Sequence, residues 1–188
     1  KSDIYTMITD VEWPGKSSFE TPAFNVIYTD SRFVETFKLK MVTGEWWHQG
    51  ETQEIVLNEE AVREMGLSEP EGSIIRIPSI DDASVMVEYK VVGVVNDFHT
   101  LSLRNRIQPV IFLPSSQASN ILYIRVVSGQ DQEVMRRIAA ILPDIDATLA
   151  DARLTPVDDL YDHLNWSEQV GLKMFSVLAT VCMLISLF

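Results

Sequence analysis

The sequence predicts a mixed α/β (α+β) fold, and three observations support this. Hydrophobic residues make up 46% of the 188 residues and charged residues 22%, as in a globular chain with a core. Short apolar and β-branched runs recur along the chain, which is typical of strands. Between several of them lie segments with capping residues and apolar side chains at helical spacing.

The first elements follow in order. Residues 25–28 predict a strand, and a short helix is expected from Ser31 because Phe33 and Phe37 share a face at i, i+4. The apolar residues 55–57 predict the next strand.

A second helix is expected directly after that strand. Asn58 is a good N-cap residue, and Glu59 and Glu60 stand in the first turn, where the helix dipole favours anions. Gly66 is well placed to end this helix. Three further strands are then predicted, at residues 73–77, 85–95 and 109–114.

The last third of the chain has a different order of elements, in which predicted strands and helices alternate. Residues 121–127 predict a strand, Asp131 is expected to cap a helix, and Pro143 to stop it. A strand near residues 147–149 and a helix opening at Thr155-Pro156 with Asp158 complete the pattern. The helix after Asp131 has an apolar face formed by Val134, Met135, Ile138, Ile141 and Leu142.

This difference in the order of elements predicts two subdomains. An α/β subdomain is formed from both chain ends, residues 1–44 and 114–165. A smaller β-rich subdomain, residues 45–113, is inserted between them.

Residues 166–188 are expected to be the start of a transmembrane helix. From Met174 to Phe188 the sequence has no charged residue, and a fifteen-residue helix spans about 22 Å of the roughly 30 Å hydrocarbon core. The chain also begins at Lys1 without a methionine, so we expect a piece of a longer protein; a buried helix at a domain's end is the alternative for the apolar run. Lys173 is the only Lys or Arg between Leu154 and that run, which indicates an extracytoplasmic flank. The acidic residues there are Asp158, Asp159, Asp162 and Glu168.

The composition argues against several kinds of partner and site. A formal net charge of −12 disfavours nucleic acid, because phosphate binding needs clustered Lys and Arg. The single cysteine, Cys182, excludes an intramolecular disulfide. The three histidines lie far apart and show no metal-ligand spacing, and Gly15-Lys16-Ser17 lacks the earlier glycine of a phosphate loop. We therefore predict no catalytic residue, no cofactor and no metal.

Two short motifs stand out. Asp97 and His99 place an acid and a base close together, an arrangement that more often braces a loop than catalyses a reaction. Trp46 and Trp47 form an apolar pair after Gly44 that would suit an interface or the membrane. Because adjacent side chains on a strand face opposite ways, at least one of them is expected in the core.

Three blocks of the sequence carry a family resemblance. Residues 91–103, VVGVVNDFHTLSL, contain Asn96, Asp97, Phe98, His99 and Ser102 directly after a predicted strand. The second block is Asp30, Phe33, Glu35, Thr36, Phe37, Leu39 and Gly44; the third is Asn58, Glu59, Ala61, Gly66, Pro70 and Gly72. Together they resemble MacB/FtsX-like ABC-transporter permeases, especially those of Bacteroidetes-type bacteria. One departure is Glu45, where that family often has an arginine.

The resemblance implies the periplasmic domain of a permease in the bacterial inner membrane, without enzymatic activity of its own. It implies a cytoplasmic ABC ATPase as partner through the membrane helices, a permease dimer and a periplasmic adaptor protein. The domain would transmit ATP-driven helix motion to substrates or partners outside. The alternative is a ligand-sensing ectodomain of a bacterial membrane receptor, which requires a concave pocket with convergent polar groups.

Asp97, Phe98, His99 and Ser102 are predicted to form a structural signature loop. We expect a buried strand to about Val95, then Asp97 accepting backbone N–H groups, Phe98 packing into the core and His99 holding the loop against a neighbouring segment.

Overall fold

A computed structural model describes residues 6–17, 19, 21–50, 53–79, 82–98, 106–115, 121–146, 149, 152 and 154–157. The chain divides into two compact units, Lys1–Arg125 and Val126–Phe188.

The first unit contains a mixed seven-stranded sheet in the strand order β1-β2-β7-β4-β6-β3, with β5 also paired to β6. Strand pairs β2/β7 and β4/β6 are parallel, and the other pairs are antiparallel. The elements of this unit are β1 (Thr6–Ile8), β2 (Phe24–Thr29), α1 (Phe33–Phe37), β3 (Met41–Gly44), β4 (Glu54–Asn58), α2 (Glu59–Met65), β5 (Ile74–Pro78), β6 (Met86–Val95) and β7 (Val110–Pro114).

Each face of this sheet carries its own buried core, because successive side chains on a strand point to opposite faces. On the first face, which we call the α2 face, Ile55, Leu57 and Ile111 pack with Ala61 and Met65 of α2. On the second, the aromatic face, the core is formed by Ile27, Phe33, Trp46, Trp47, Val56, Val95, Val110 and Phe112. The central strands β2, β4 and β7 are therefore buried on both faces.

Most of the predicted elements of the first unit are confirmed. Strands β2, β4, β5, β6 and β7 occupy the predicted positions within one or two residues. Asn58 caps α2 by accepting the Ala61 N–H, and Gly66 ends the helix in the left-handed conformation. The rings of Phe33 and Phe37 stack 4.3 Å apart, as their spacing predicted.

The predicted strand at residues 121–127 is wrong: the structure assigns no strand there. The Tyr123 ring lies against Phe33 and Phe37, whereas Leu122 is 78% exposed. The β-branched residues favour an extended chain, but a strand also needs a neighbouring strand, which composition alone does not provide.

In the second unit, helix α3 (Asp131–Ile145) differs from the prediction at both ends. The N-cap is Gln130, without a side-chain bond, and Asp131 is the first helical residue. Pro143 lies inside the helix and does not stop it; this close to the end, the missing proline N–H removes a bond of the last turn only. Of the predicted apolar face, Ile141 is exposed and the other four residues are half-buried.

Several predictions concern residues whose structure is not described. Of the strand expected at 147–149 only Leu149 is described. Its backbone N–H donates to the Asp146 carbonyl in a helical turn. The helix expected after Thr155 is described only to Val157, and residues 166–188 lie wholly outside the described residues. Across the part that is described, no helix is both long and apolar enough to span a bilayer.

The predicted subdomain boundaries stay a prediction. The boundary at 44/45 falls at the end of β3, and that at 113/114 falls within β7, and both strands belong to the seven-stranded sheet.

Two tyrosines beside the α2-face core give the fold an alkaline limit. Burial raises the pKa of the Tyr89 phenol, and burial together with the nearby Tyr89 raises that of Tyr28. A raised folded-state pKa means that the neutral phenol is favoured, so its contribution is complete below the unfolded pKa of about 10 and is lost as the pH rises through the folded pKa. We expect the free energy of unfolding to fall above about pH 10, and to fall less steeply in a Tyr28→Phe/Tyr89→Phe variant. Denaturant titrations between pH 8 and 11 check this; identical pH profiles for the two proteins would contradict it.

Candidate functional site

The segment directly after β6 contacts three separate parts of the first unit. Strand β6 ends at Val95, as predicted, and Asn96, Asp97 and Phe98 follow it in an irregular conformation. These three residues, called the 96–98 segment below, leave the sheet at the end where β4 passes into α2.

Asn58 is the centre of the hydrogen bonds at this end of the sheet. It is completely buried, and its Oδ1 accepts the backbone N–H groups of Ala61 (3.0 Å) and Val110 (2.8 Å). Its Nδ2 donates to the Gln108 carbonyl and to Asp97 Oδ1, both at 3.0 Å. All four bonding positions of the amide are therefore filled, which is what a buried amide requires.

The Asp97 carboxylate joins the loop to helix α2. Its Oδ1 accepts the backbone N–H of Glu60 at 2.8 Å, and its Oδ2 forms an ion pair with the Arg63 guanidinium. In return, the Asp97 backbone N–H donates to the Glu59 carboxylate at 3.0 Å. Arg63 also pairs with Glu60, and these carboxylates raise the pKa of its guanidinium, so its charge is secure. Asp97 thus accepts a backbone N–H, as expected.

The residues on either side of Asp97 turn to other neighbours. The Phe98 ring stacks on Phe112 with a centroid separation of 5.8 Å, and so packs against the aromatic-face core. Asn96 bonds the segment before β3: its backbone N–H donates to the Lys40 carbonyl at 2.9 Å, and its Oδ1 accepts the Lys40 N–H at 3.1 Å.

Trp46 and Trp47 are both buried, with exposed fractions of 8% and 4%. Their rings stack on each other 4.3 Å apart, and Trp46 also meets Phe112. The alternation expected for strand neighbours does not apply, because the pair follows the end of β3 at Gly44. The Trp46 indole N–H donates to the Asp30 carbonyl at 3.4 Å. The interface role of this pair stays a prediction.

Glu45, which stands where the resembling family often has arginine, lines an open groove of about 500 Å³. Its walls also include Trp46, Val92 and the exposed His48, with Glu54 and Glu71. No group of three or more His, Cys, Asp or Glu side chains suited to a metal ion occurs among the residues for which the structure gives positions.

The structure describes two of the predicted signature residues, Asp97 and Phe98, and shows that a third residue, Asn58, also belongs to the site. Asp97 and Phe98 contact α2 and the aromatic face, whereas His99 and Ser102 lie outside the described residues. Asn58 was predicted only as a helix cap, but it also bonds Val110 and Asp97. Its position in a third block of the family resemblance was the one available signal.

Removing the Asp97 carboxylate is expected to destabilise the protein. Asp97→Ala leaves the Glu60 N–H and the Asn58 amide without their acceptor, which costs about 2 kcal/mol of unfolding free energy. Asp97→Asn, which keeps one acceptor oxygen, should lose less. Thermal denaturation measures both; an unchanged melting temperature in Asp97→Ala would show that the carboxylate does not brace the loop.

Comparison with known protein families identifies a match. A family model described as MacB-like periplasmic core domain matches residues 5–141. No curated protein matches the chain.

Three solved structures are similar to it. The periplasmic region of MacB from Actinobacillus actinomycetemcomitans is 18% identical over 75% of this chain, with a TM-score of 0.47; this chain spans 64% of that one, less than two thirds. The extracellular domain of the noncanonic ABC-type transporter YknZ from Gram-positive bacteria is 12% identical over 76% of this chain and 73% of its own, with a TM-score of 0.50. A permease-protein domain from Porphyromonas gingivalis is 16% identical over 85% of this chain and 78% of its own, with a TM-score of 0.48. At such identities, the YknZ likeness concerns the fold.

Proposed function

This chain belongs to the family of MacB-like periplasmic core domains, and from that premise we propose that it is the extracytoplasmic domain of an ABC-transporter permease. In this role it transmits ATP-driven motion of the membrane helices to substrates or partner proteins outside the membrane. The family match over residues 5–141 is the observation that carries the proposal.

The internal bonding of the first unit supports a mechanical role. A domain that transmits motion has to move as a body, and seven strands in one sheet with a core on each face resist deformation. Asn58 adds a rigid connection where β4, β7 and the 96–98 segment meet.

The proposal includes the position of the domain in the whole protein. Residues 166–188 begin a transmembrane helix, and residues 1–44 and 114–165 connect the inserted residues 45–113 to the bacterial inner membrane on its periplasmic side. The partners are a cytoplasmic ABC ATPase, a second permease copy and a periplasmic adaptor protein. We propose no catalytic role for the chain.

The first test is purification of the full-length protein from its native membrane. We expect several membrane spans and co-purification of an ABC ATPase. Recovery of a protein with a single span and a cytoplasmic kinase or cyclase domain would instead support the sensing ectodomain.

The second test measures the transmitted motion. A spin label is attached at Glu64→Cys, an exposed position of α2, in the full-length permease with its ATPase, after Cys182 and every other cysteine have been replaced by serine. We expect the distance between labels on the two copies to differ between the nucleotide-free and ATP-bound states, and to stay unchanged with an ATPase that cannot bind ATP. Identical distances in both nucleotide states would refute transmission.

A further inference from the structure

In the 96–98 segment, two consecutive residues contact opposite faces of the sheet. Asp97 bonds α2, whose Ala61 and Met65 belong to the α2-face core. Phe98, the next residue, stacks on Phe112 in the aromatic-face core.

The two faces are otherwise separated by the sheet itself. Along β7, Ile111 points into the α2 face while its neighbours Val110 and Phe112 point into the aromatic face, so no side chain of that strand reaches both. At the end of the sheet, Asn58 bonds both the cap of α2 and Val110, and the 96–98 segment makes a second connection between α2 and the aromatic core.

We propose that the 96–98 segment is a strap that couples helix α2 to the aromatic cluster of Phe98, Phe112 and Trp46, so that a displacement of α2 shifts this cluster. The strap has rigid anchors at both ends. On the α2 side these are the Glu60 N–H, the Glu59 carboxylate and the Arg63 ion pair. On the other side, the ring contacts run from Phe98 to Phe112 and from Phe112 to Trp46, with centroids 5.8 and 5.1 Å apart.

Arg63 is the exposed end of this strap. Its side chain is 58% exposed, while that of its partner Asp97 is 13% exposed. A group that contacts α2 from outside can therefore act on Arg63 and reach the buried aromatic cluster through two consecutive residues. Only the biological role of the strap rests on the proposed function: it keeps the two cores in register while the domain is moved.

The experiment follows the hydrogen exchange of the Trp46 indole N–H by NMR in the full 188-residue chain, with the resonance assigned by Trp46→Phe. This N–H donates to the Asp30 carbonyl on the aromatic face, and its exchange rate reports how often that bond opens. We expect Arg63→Gln, which removes the ion pair to Asp97, to raise the exchange rate at least threefold.

Arg76→Gln is the matched control. Arg76 also pairs with two carboxylates, Glu88 and Glu12, and its side chain is similarly exposed at 53%, but it lies on β5 away from the strap. Its replacement should leave the indole exchange rate unchanged. In a Phe98→Leu background, which removes the ring stacked on Phe112, Arg63→Gln should have no further effect on that rate.

Three outcomes would overturn the strap: an unchanged exchange rate in Arg63→Gln, an equal rise in Arg76→Gln, or a rise that persists in the Phe98→Leu background. The measurement needs no ATPase, and the chain is kept in detergent micelles because residues 166–188 are proposed to begin a transmembrane helix. The exchange rates test the strap, and the spin-label distances test the transmitted motion. Either proposal can therefore fail while the other stands.

Discussion

Gly44→Ala is expected to give the largest loss of stability of any single substitution considered for this protein. Gly44 has a φ of +65°, and a Cβ added there would lie 2.1 Å from the Val92 carbonyl oxygen and 2.7 Å from the Gly93 Cα. Both obstacles belong to the backbone of β6, the strand that pairs with β3. Neither can rotate away, so β3 has to separate from the sheet. We expect the free energy of unfolding to fall by more than about 4 kcal/mol, at the upper end of single-residue effects.

Gly66→Ala separates the two causes of this loss. Gly66 has the same φ of +65°, but none of the described residues has an atom within 4 Å of an added Cβ. Its replacement should therefore cost only the left-handed conformation, about 1 to 2 kcal/mol. Chemical denaturation of both variants measures the difference. Equal losses would show that the contact with β6 relaxes freely and that backbone conformation alone requires glycine at position 44.

Asn58→Ala is the second large effect that we expect. The substitution deprives the Ala61 and Val110 N–H groups of their acceptor, and the Gln108 carbonyl and Asp97 of their donor. Because the site is completely buried, water cannot replace the lost hydrogen-bond partner of these groups. The free energy of unfolding should therefore fall by about 4 kcal/mol. Part of this is the loss of the α2 cap, worth about 1 kcal/mol.

Asn25→Ala is the matched control for Asn58. Asn25 is also buried in a strand, with an exposed fraction of 3%, but its Oδ1 has no hydrogen-bond partner within the part of the chain that the structure describes. Replacing it removes an unsatisfied acceptor, so a clearly smaller loss is expected. If the two variants lost equal stability in the same denaturant titration, the cavity rather than the hydrogen bonds would explain the effect.

The local elements of the first unit could be predicted from the sequence because their causes are local. Asn58 and Gly66 delimit α2 through cap geometry, which depends on a few adjacent residues. The β-branched residues of β6 favour an extended chain wherever they lie. Strands β1 and β3 were missed, because three or four residues are too few to show a strand periodicity. β1 lies at one end of the strand order and β3 at the other.

The family could also be recognised from the sequence, because it depends on residues that occur together in fixed order. The Asn96-Asp97-Phe98 run, the Asp30-to-Gly44 block and the block that starts at Asn58 identified it. The composition explained why no nucleic-acid partner was expected, but it said nothing about how these blocks meet in space.

What only the tertiary structure decided is which residues become neighbours across the chain. Asn58 bonds Val110 and Asp97, which lie 52 and 39 positions away, and no local rule selects those partners. Both tryptophans of the Trp46-Trp47 pair became core residues because β3 ends before them, and residues 121–127 are not assigned to a strand despite their β-branched pattern. The physical reason is the same in each case: a cap or an alternating run fixes local conformation, whereas burial and strand pairing depend on what the rest of the fold brings to that position.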